Sequence, residues 1–152
     1  MKIAFLTLGC KLNYAETSTY ERGFKEAGLE VVPWQQKADI YLVNTCSVTA
    51  TSDSNSRNLI RKVHRVNPSA RIVVTGCSAQ LRREEIERIG GVTRVFGAEE
   101  KSLVVSETLH GGAVPGTDIP RVFGAYSTGE RTRSFLKVQD GCNNFCKYCT
   151  VP

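Results

Sequence analysis

Along the first 110 residues, short runs rich in valine and isoleucine alternate with longer amphipathic runs. The short runs predict buried strands, and the longer ones predict helices. Strands that alternate with helices pair in parallel, because each helix returns the chain to the starting edge of the sheet. We therefore predict an α/β fold, a flavodoxin-like open parallel sheet with helices on both faces. The predicted strands are 2–8, 29–32, 39–44, 71–75 and 94–96, and the predicted helices are 13–27, 79–89, 99–109 and one running from a cap at Thr49 or Ser52 to Val66.

The alternation stops near residue 110. Residues 111–133 hold five glycines and two prolines with little helical period, which is typical of a linker. A strand-like run over 134–139 then leads into a short segment with three cysteines. We predict three parts: an N-terminal domain over 1–110, a linker over 111–133 and the start of a second domain over 134–152.

The chain has six cysteines in 152 residues, and these narrow the chemistry that it can carry out. A chain of this length buries enough surface to fold without disulfides. Its N-terminal apolar run is too short for a signal peptide, and no apolar run reaches the roughly 20 residues that cross a membrane. We therefore predict a cytoplasmic protein with no membrane partner. In that reducing compartment, thiols favour metal or redox chemistry over a disulfide framework.

Three cysteines, here called the loop cysteines, share the spacing Cys-x3-Cys-x2-Cys: Cys142, Cys146 and Cys149. Structural zinc usually takes four ligands, often from two Cys-x2-Cys pairs. Here only the last two form such a pair, and His64 and His110 are distant in sequence. Three soft thiolates that leave a fourth position open favour an iron–sulfur cluster, with zinc as the competing metal.

The other three, here called the edge cysteines, are Cys10, Cys46 and Cys77. Each lies just past the carboxyl end of a predicted strand, and those ends form the ligand-binding edge of an open parallel sheet. The first, third and fourth strands are neighbours in flavodoxin-like order, so we expect the three thiols to converge in one pocket. Gly9 and Gly76 precede two of them and allow tight turns beside a cluster. Buried free cysteines of the core are the alternative.

The net charge of +5 is concentrated in one window. Residues 54–83 carry seven basic side chains and no acidic one, whereas 1–53 and 84–152 each carry a net charge of −1. Within the window, Arg57, Arg61 and Arg65 recur every four residues along one helix face. This pattern predicts contacts with a polyanion, and a solvated helix face is the alternative.

Four segments resemble the motifs of the radical-SAM methylthiotransferases, in the order of that family. They are Thr7-Leu8-Gly9-Cys10-Lys11-Leu12-Asn13 with Glu16-Thr17 after it, Val43-Asn44-Thr45-Cys46-Ser47-Val48-Thr49, Val74-Thr75-Gly76-Cys77-Ser78-Ala79-Gln80, and Val138-Gln139-Asp140-Gly141-Cys142-Asn143-Asn144-Phe145-Cys146-Lys147-Tyr148-Cys149. The run Cys-Lys-Leu-Asn followed by Glu-Thr is most similar to the branch that modifies N6-threonylcarbamoyladenosine in tRNA. The isopentenyladenosine and ribosomal-protein branches tend to have Cys-Gln and Cys-Pro instead.

This resemblance implies two 4Fe–4S clusters. The loop cysteines would hold a cluster that binds S-adenosyl-L-methionine and cleaves it to a radical, which takes hydrogen from carbon 2 of the adenine. The edge cysteines would hold an auxiliary cluster that presents the sulfur. Tyr148 would pack on the adenosyl group, with simple core packing as the alternative. The implied partners are tRNA, near its anticodon, and an electron donor, with the three arginines as candidate phosphate contacts.

The family's members continue with a partial (β/α) barrel and a small β-barrel RNA-binding domain, whereas this sequence ends three residues after Cys149. The resemblance therefore implies the methylthiotransferase domain, a linker, and the first strand and cluster loop of a radical-SAM partial barrel. It also implies no turnover by these residues alone. Two other functions stay open: methylthiolation of a ribosomal protein, and a non-catalytic iron–sulfur or zinc binding module.

Overall fold

A single sheet is built from the strands β1 (Lys2–Thr7), β2 (Glu30–Val31), β3 (Ile40–Thr45), β4 (Arg71–Gly76) and β5 (Val92–Val95). All pairings are parallel, and the strand order is β2-β1-β3-β4-β5. This flavodoxin-like order confirms the predicted fold class and makes β1, β3 and β4 neighbours at the centre. The computed structural model describes residues 1–47, 50–112, 123–127, 134–139, 141–147 and 149.

Helices pack on both faces of the sheet. They are α1 (Lys11–Glu26), α2 (Ala50–Val66), α3 (Cys77–Leu81), α4 (Arg83–Glu87) and α5 (Val104–His110), with a 3-10 helix over Ala98–Leu103 before α5. On one face, α1 and α5 bury Tyr20, Phe24 and Val104 against the sheet. On the other, α2 and α4 bury Ile60, Val63 and Ile86. Because both faces of β3 are covered, all six of its residues are buried, which explains its nearly unbroken apolar run.

The strand register brings three carboxyl ends into line. Thr7 of β1 pairs with Asn44 of β3, and Asn44 pairs with Thr75 of β4. The chain therefore leaves the three central strands at the same level of the sheet. Loops that follow these strands meet at one edge, as expected for a parallel sheet.

Some predicted helix boundaries are wrong. The helix predicted over 79–89 is two short helices, α3 and α4, since Arg82 leaves the helical region with φ −134° and ψ 40°. The helix predicted over 99–109 begins with the 3-10 helix, whose first turn is closed by a 2.8 Å hydrogen bond from the Gly97 amide to the Glu100 carboxylate. Ser52 lies inside α2 rather than capping it, and Thr49 lies outside the described residues.

Beyond α5, the described residues include two short stretches that pair with each other, 123–127 and 134–139. Within 134–139, where the sequence predicts a strand, the structure has an antiparallel bridge from Leu136 to Tyr126. Most of the predicted linker over 111–133 lies outside the described residues. In the part of the chain that the structure describes, no helix is long and apolar enough to cross a membrane.

Candidate metal centre at the carboxyl edge of the sheet

The structure brings the edge cysteines to the aligned carboxyl ends of β1, β3 and β4. Cys10 is the N-cap of α1 and is exposed. Cys46 directly follows β3 and is 4% exposed, whereas Cys77 is the first residue of α3 and is partly buried. Three thiols that stand far apart in the sequence therefore share one edge of the sheet.

Two glycines let the backbone turn beside these thiols. Gly9 has φ +104° and Gly76 has φ +97°, a region that side chains other than glycine's rarely occupy. Gly9 packs directly on the Cys46 side chain, and Gly76 packs on the backbone of Thr45. A Cβ at either position would fill space that the turn needs. The turns that place the cysteines thus depend on glycine.

The thiols interact electrostatically. Burial raises the pKa of the Cys77 thiol, and the neighbouring Cys46 and Cys10 raise it further, while the Lys101 ammonium opposes them. Three thiolates at one edge therefore repel one another unless a positive group lies among them. A metal centre supplies such a group, since coordination removes thiol protons and neutralises the thiolates. The chemistry of this donor set fits iron and sulfide.

Side chains of the same motifs fix the loops that carry the thiols. The side-chain amide of Asn13 donates to the backbone carbonyl of Leu8 at 2.7 Å and to that of Thr45 at 3.0 Å. It thereby ties the loop after β1 (the β1 loop) to the loop after β3 (the β3 loop). The Asn44 amide donates to the Asn13 carbonyl at 3.0 Å. These asparagines are buried. Sequence reasoning missed their role, although both stand in the motifs that carry the family resemblance.

The buried carboxylate of Asp53 is linked to this framework through Ser78. The Ser78 hydroxyl oxygen lies 2.8 Å from the Cys46 carbonyl and 2.9 Å from Asp53 Oδ1. Asp53 Oδ2 accepts from Arg57 at 2.6 Å and pairs with Arg82 at 2.8 Å. Asp53 is 5% exposed and so serves as a hub joining α2, the break before α4 and the Cys46 backbone.

The edge cysteines do not form a preset site for a single ion. Among the residues that the structure describes, no group of three or more His, Cys, Asp or Glu side chains is arranged to hold one metal ion. A 4Fe–4S cluster has a different requirement, because each thiolate binds its own iron and the ligands stand farther apart. Three thiols spread along one sheet edge are consistent with that requirement.

The loop cysteines are more open to solvent. Cys142 is partly buried, whereas Cys146 and Cys149 are exposed. The Cys149 amide donates to the Cys146 carbonyl at 3.0 Å, and Phe145 between the first two cysteines has φ +47°. The hydrogen bond between Cys149 and Cys146 closes a backbone turn that holds these two cysteines near each other. Tyr148, the predicted adenosyl contact, lies outside the described residues.

The three arginines of the predicted polyanion surface have different surroundings. Arg57 pairs with Asp53 and lies 3.6 Å from Glu85, so its charge is neutralised within the protein. Arg61 and Arg65 are exposed and line a surface cavity of about 440 Å³, together with Arg88 on the neighbouring segment. The structure thus separates Arg57 from the other two, and Arg88 in the same cavity pairs with Glu84 at 3.1 Å.

Fold and site together define an α/β open-sheet protein with a thiol-lined ligand edge over three central strands. The chain belongs to the family described as uncharacterized protein family UPF0004, which it matches over residues 2–97. This membership and the relatives below confirm the predicted resemblance to the N-terminal part of the methylthiotransferases.

Several curated relatives carry transferase names. The chain is 40% identical to threonylcarbamoyladenosine tRNA methylthiotransferase MtaB of Bacillus subtilis, over 99% of this chain and 36% of that protein. It is 38% identical to the protein of the same name from Aquifex aeolicus, over 100% of this chain and 40% of that protein. It is 31% identical to tRNA-2-methylthio-N(6)-dimethylallyladenosine synthase of Wolbachia pipientis, over 96% of this chain and 36% of that protein. The chain spans less than half the length of these relatives.

Proposed function

We propose that this chain is part of a cytoplasmic enzyme that adds a methylthio group to carbon 2 of N6-threonylcarbamoyladenosine, next to the anticodon of tRNA. The observation that carries the proposal is the meeting of Cys10, Cys46 and Cys77 at one edge of the sheet. The names of the relatives from Bacillus and Aquifex support the substrate. The edge cysteines alone do not distinguish one substrate from another, so the choice of nucleoside rests on those relatives.

The cofactors proposed for this enzyme are two 4Fe–4S clusters and S-adenosyl-L-methionine. Cys10, Cys46 and Cys77 would hold one cluster, and the loop cysteines would hold the other, with Tyr148 beside the adenosyl group. When bound, these groups supply the radical chemistry and the sulfur atom, with reducing equivalents from a separate electron donor.

The chain's own residues hold and shield the auxiliary site. Burial of Cys46 keeps water from one side of it, and the Asn13 and Asn44 amides fix the loops on either side. Lys101 acts to lower the pKa of Cys77, whereas its ion-pair partner Glu16 acts to raise it. The asparagine hydrogen bonds hold the loops that carry Cys10 and Cys46 against each other, so that binding a cluster requires less ordering of the chain.

Iron and sulfide analysis tests the two-cluster assignment. The complete gene product carrying this chain is reconstituted without oxygen, and we expect it to be brown and to bind about eight irons. A variant with Cys142, Cys146 and Cys149 all changed to alanine should keep about half of that iron. A matched variant with Cys10, Cys46 and Cys77 changed to alanine should keep the other half. A colourless zinc protein, or a triple variant with no iron left, contradicts the assignment.

The substrate is tested by nucleoside analysis of tRNA from a strain that lacks the gene. Loss of the 2-methylthio group from N6-threonylcarbamoyladenosine supports the proposal. Loss from dimethylallyladenosine instead would assign the chain to the reaction named for the Wolbachia relative. Intact tRNA modification with an unmethylthiolated ribosomal protein would point to the protein-modifying alternative. If none of these changes, the non-catalytic module remains.

The proposed tRNA contact surface is the arginine face of α2. We place Arg61 and Arg65 at its centre, since both are exposed and line one cavity with Arg88. Arg57 belongs to the same helix face, but its ion pairs with Asp53 and Glu85 leave less charge for a phosphate. Aromatic side chains are not interleaved with these arginines in the sequence, so we propose backbone contacts rather than base stacking.

A further inference from the structure

Glu16 connects two distant parts of the chain through buried ion pairs. Its carboxylate oxygen Oε1 accepts from the Lys101 ammonium at 2.9 Å and from the Lys137 ammonium at 3.0 Å. Glu16 is 0% exposed, and the Lys137 side chain is 1% exposed. Glu16 follows Cys10 by six residues, whereas Lys137 precedes Cys142 by five. The pair therefore joins the chain near an edge cysteine to the chain near a loop cysteine.

The segments around Lys137 are docked on α1. They are residues 123–127 and 134–139, here called the docked segments. Lys137 and Ser127 donate backbone hydrogen bonds of 2.8 Å to Ala125 and Phe135, so the two segments hold each other. The Phe123 ring stacks on Tyr20 of α1, with ring centroids 5.1 Å apart.

Polar contacts add to this docking at the outer side of α1. The Arg22 guanidinium lies 3.8 Å from the centroid of the Tyr126 ring and donates to the Tyr126 carbonyl at 2.9 Å. The Tyr126 amide donates to the Thr19 hydroxyl at 3.2 Å. Stacking, cation–π contact and hydrogen bonds therefore hold the docked segments on one helix, with the Glu16–Lys137 pair as their buried end.

From these contacts we infer that Glu16 is a positioning residue that anchors the start of the loop-cysteine segment to the sheet domain through Lys137. The inference rests on the proposed function for its purpose: two clusters that act on one substrate atom need a fixed separation. A buried ion pair suits this task. The Lys137 ammonium reaches the fully buried Glu16 carboxylate in one arrangement only, so the pair specifies the position of its segment more strictly than an apolar contact does. Glu16 stands in the Glu-Thr pair of the first motif.

Hydrogen exchange in a Lys137→Met variant of the complete gene product tests the anchor. Methionine keeps a long unbranched side chain but removes the charge, and Glu16 keeps its pair with Lys101. We expect the Ser127 amide, bonded to Phe135, to exchange about tenfold faster or more, while amides of β3 keep their protection. Lys25→Met is the matched control, because Lys25 lies on α1 as Glu16 does, but it is exposed and pairs with Glu21. Exchange at Ser127 that is the same in both variants overturns the inference.

A second variant covers the case in which Lys137→Met also loosens the sheet. Lys137→Arg keeps the charge, so exchange at Ser127 close to that of the parent supports the anchor, and loosened exchange overturns it. In protein holding both clusters, pulsed electron paramagnetic resonance measures the distance between the reduced clusters. We expect a broader distance distribution for Lys137→Met than for Lys25→Met, and equal distributions overturn the inference. The exchange measurement needs no iron, so a protein without clusters contradicts only the proposed function.

Discussion

A Cβ atom added to Gly9 would lie 2.7 Å from Cβ and 2.8 Å from Sγ of Cys46. Real Cβ atoms essentially never approach a neighbour so closely, and Cys46 is buried with little room to move. The Gly9 backbone also has φ +104°, where a side chain is strained. The path of the β1 loop and the orientation of the Cys46 thiol therefore depend on each other.

We predict that Gly9→Ala destabilises the protein by about 1–3 kcal/mol and displaces the Cys46 thiol. Chemical denaturation measures the first effect, and the rate of thiol modification in metal-free protein measures the second. Gly90→Ala is the control, since nothing lies within 4 Å of a Cβ there. If Gly9→Ala is as stable as Gly90→Ala and shows the parent's thiol reactivity, the proposed dependence is wrong.

Asp53→Asn should cost about 1–3 kcal/mol of unfolding free energy. A neutral amide at this buried position weakens the pairs with Arg57 and Arg82 and the contact with Ser78. It also leaves the two guanidinium charges without this carboxylate. Urea denaturation measures the loss. Glu85→Gln provides a stringent control, because Glu85 pairs with Arg57 and Arg82 as well but is 49% exposed. For that exposed pair we expect less than about 1 kcal/mol, and equal losses in the two variants would contradict the hub.

Acid should destabilise the 3-10 helix through Glu100. Burial acts to raise the pKa of Glu100, but hydrogen bonds from Arg83 and from the Gly97 amide outweigh it and hold the pKa below its usual range. The stabilisation is therefore complete above the unfolded carboxyl's pKa of about 4.3 and is lost as the pH falls through the lower folded value. Unfolding free energy measured from pH 7 to pH 3 should fall less steeply in Glu100→Gln. Glu87→Gln is the control, because it removes another ion pair of Arg83 but leaves Glu100 in place.

The central sheet could be predicted from the sequence because its strands are buried on both faces. Such strands form short apolar runs, and the runs that become β1, β3 and β4 predict strands rather than helices. The edge cysteines followed from the same pattern, since their position depends only on where each strand ends. Helix ends were less predictable, because Arg82 breaks its helix where it forms a tertiary contact with Asp53.

The surroundings of Arg57 could not be predicted from the charge pattern. The basic window over 54–83 begins one residue after Asp53 and ends two residues before Glu85. Asp53 lies one helical turn before Arg57 in α2, where a window that begins at residue 54 leaves it out, and Glu85 reaches Arg57 from α4. The Glu16–Lys137 pair was missed because its partners are 121 positions apart in the sequence.

We predict that tRNA binding by the complete gene product depends on Arg61 and Arg65 more than on Arg57. Removing one phosphate-binding side chain should reduce the slope of log affinity against log salt concentration by roughly 0.7–0.9. The Arg61→Gln/Arg65→Gln double variant should therefore bind more weakly and with a flatter salt dependence in a filter-binding titration. Arg57→Gln should keep the parent's slope and lose stability instead, because it breaks the pair with Asp53. An unchanged slope in the double variant would assign this helix face to solvent.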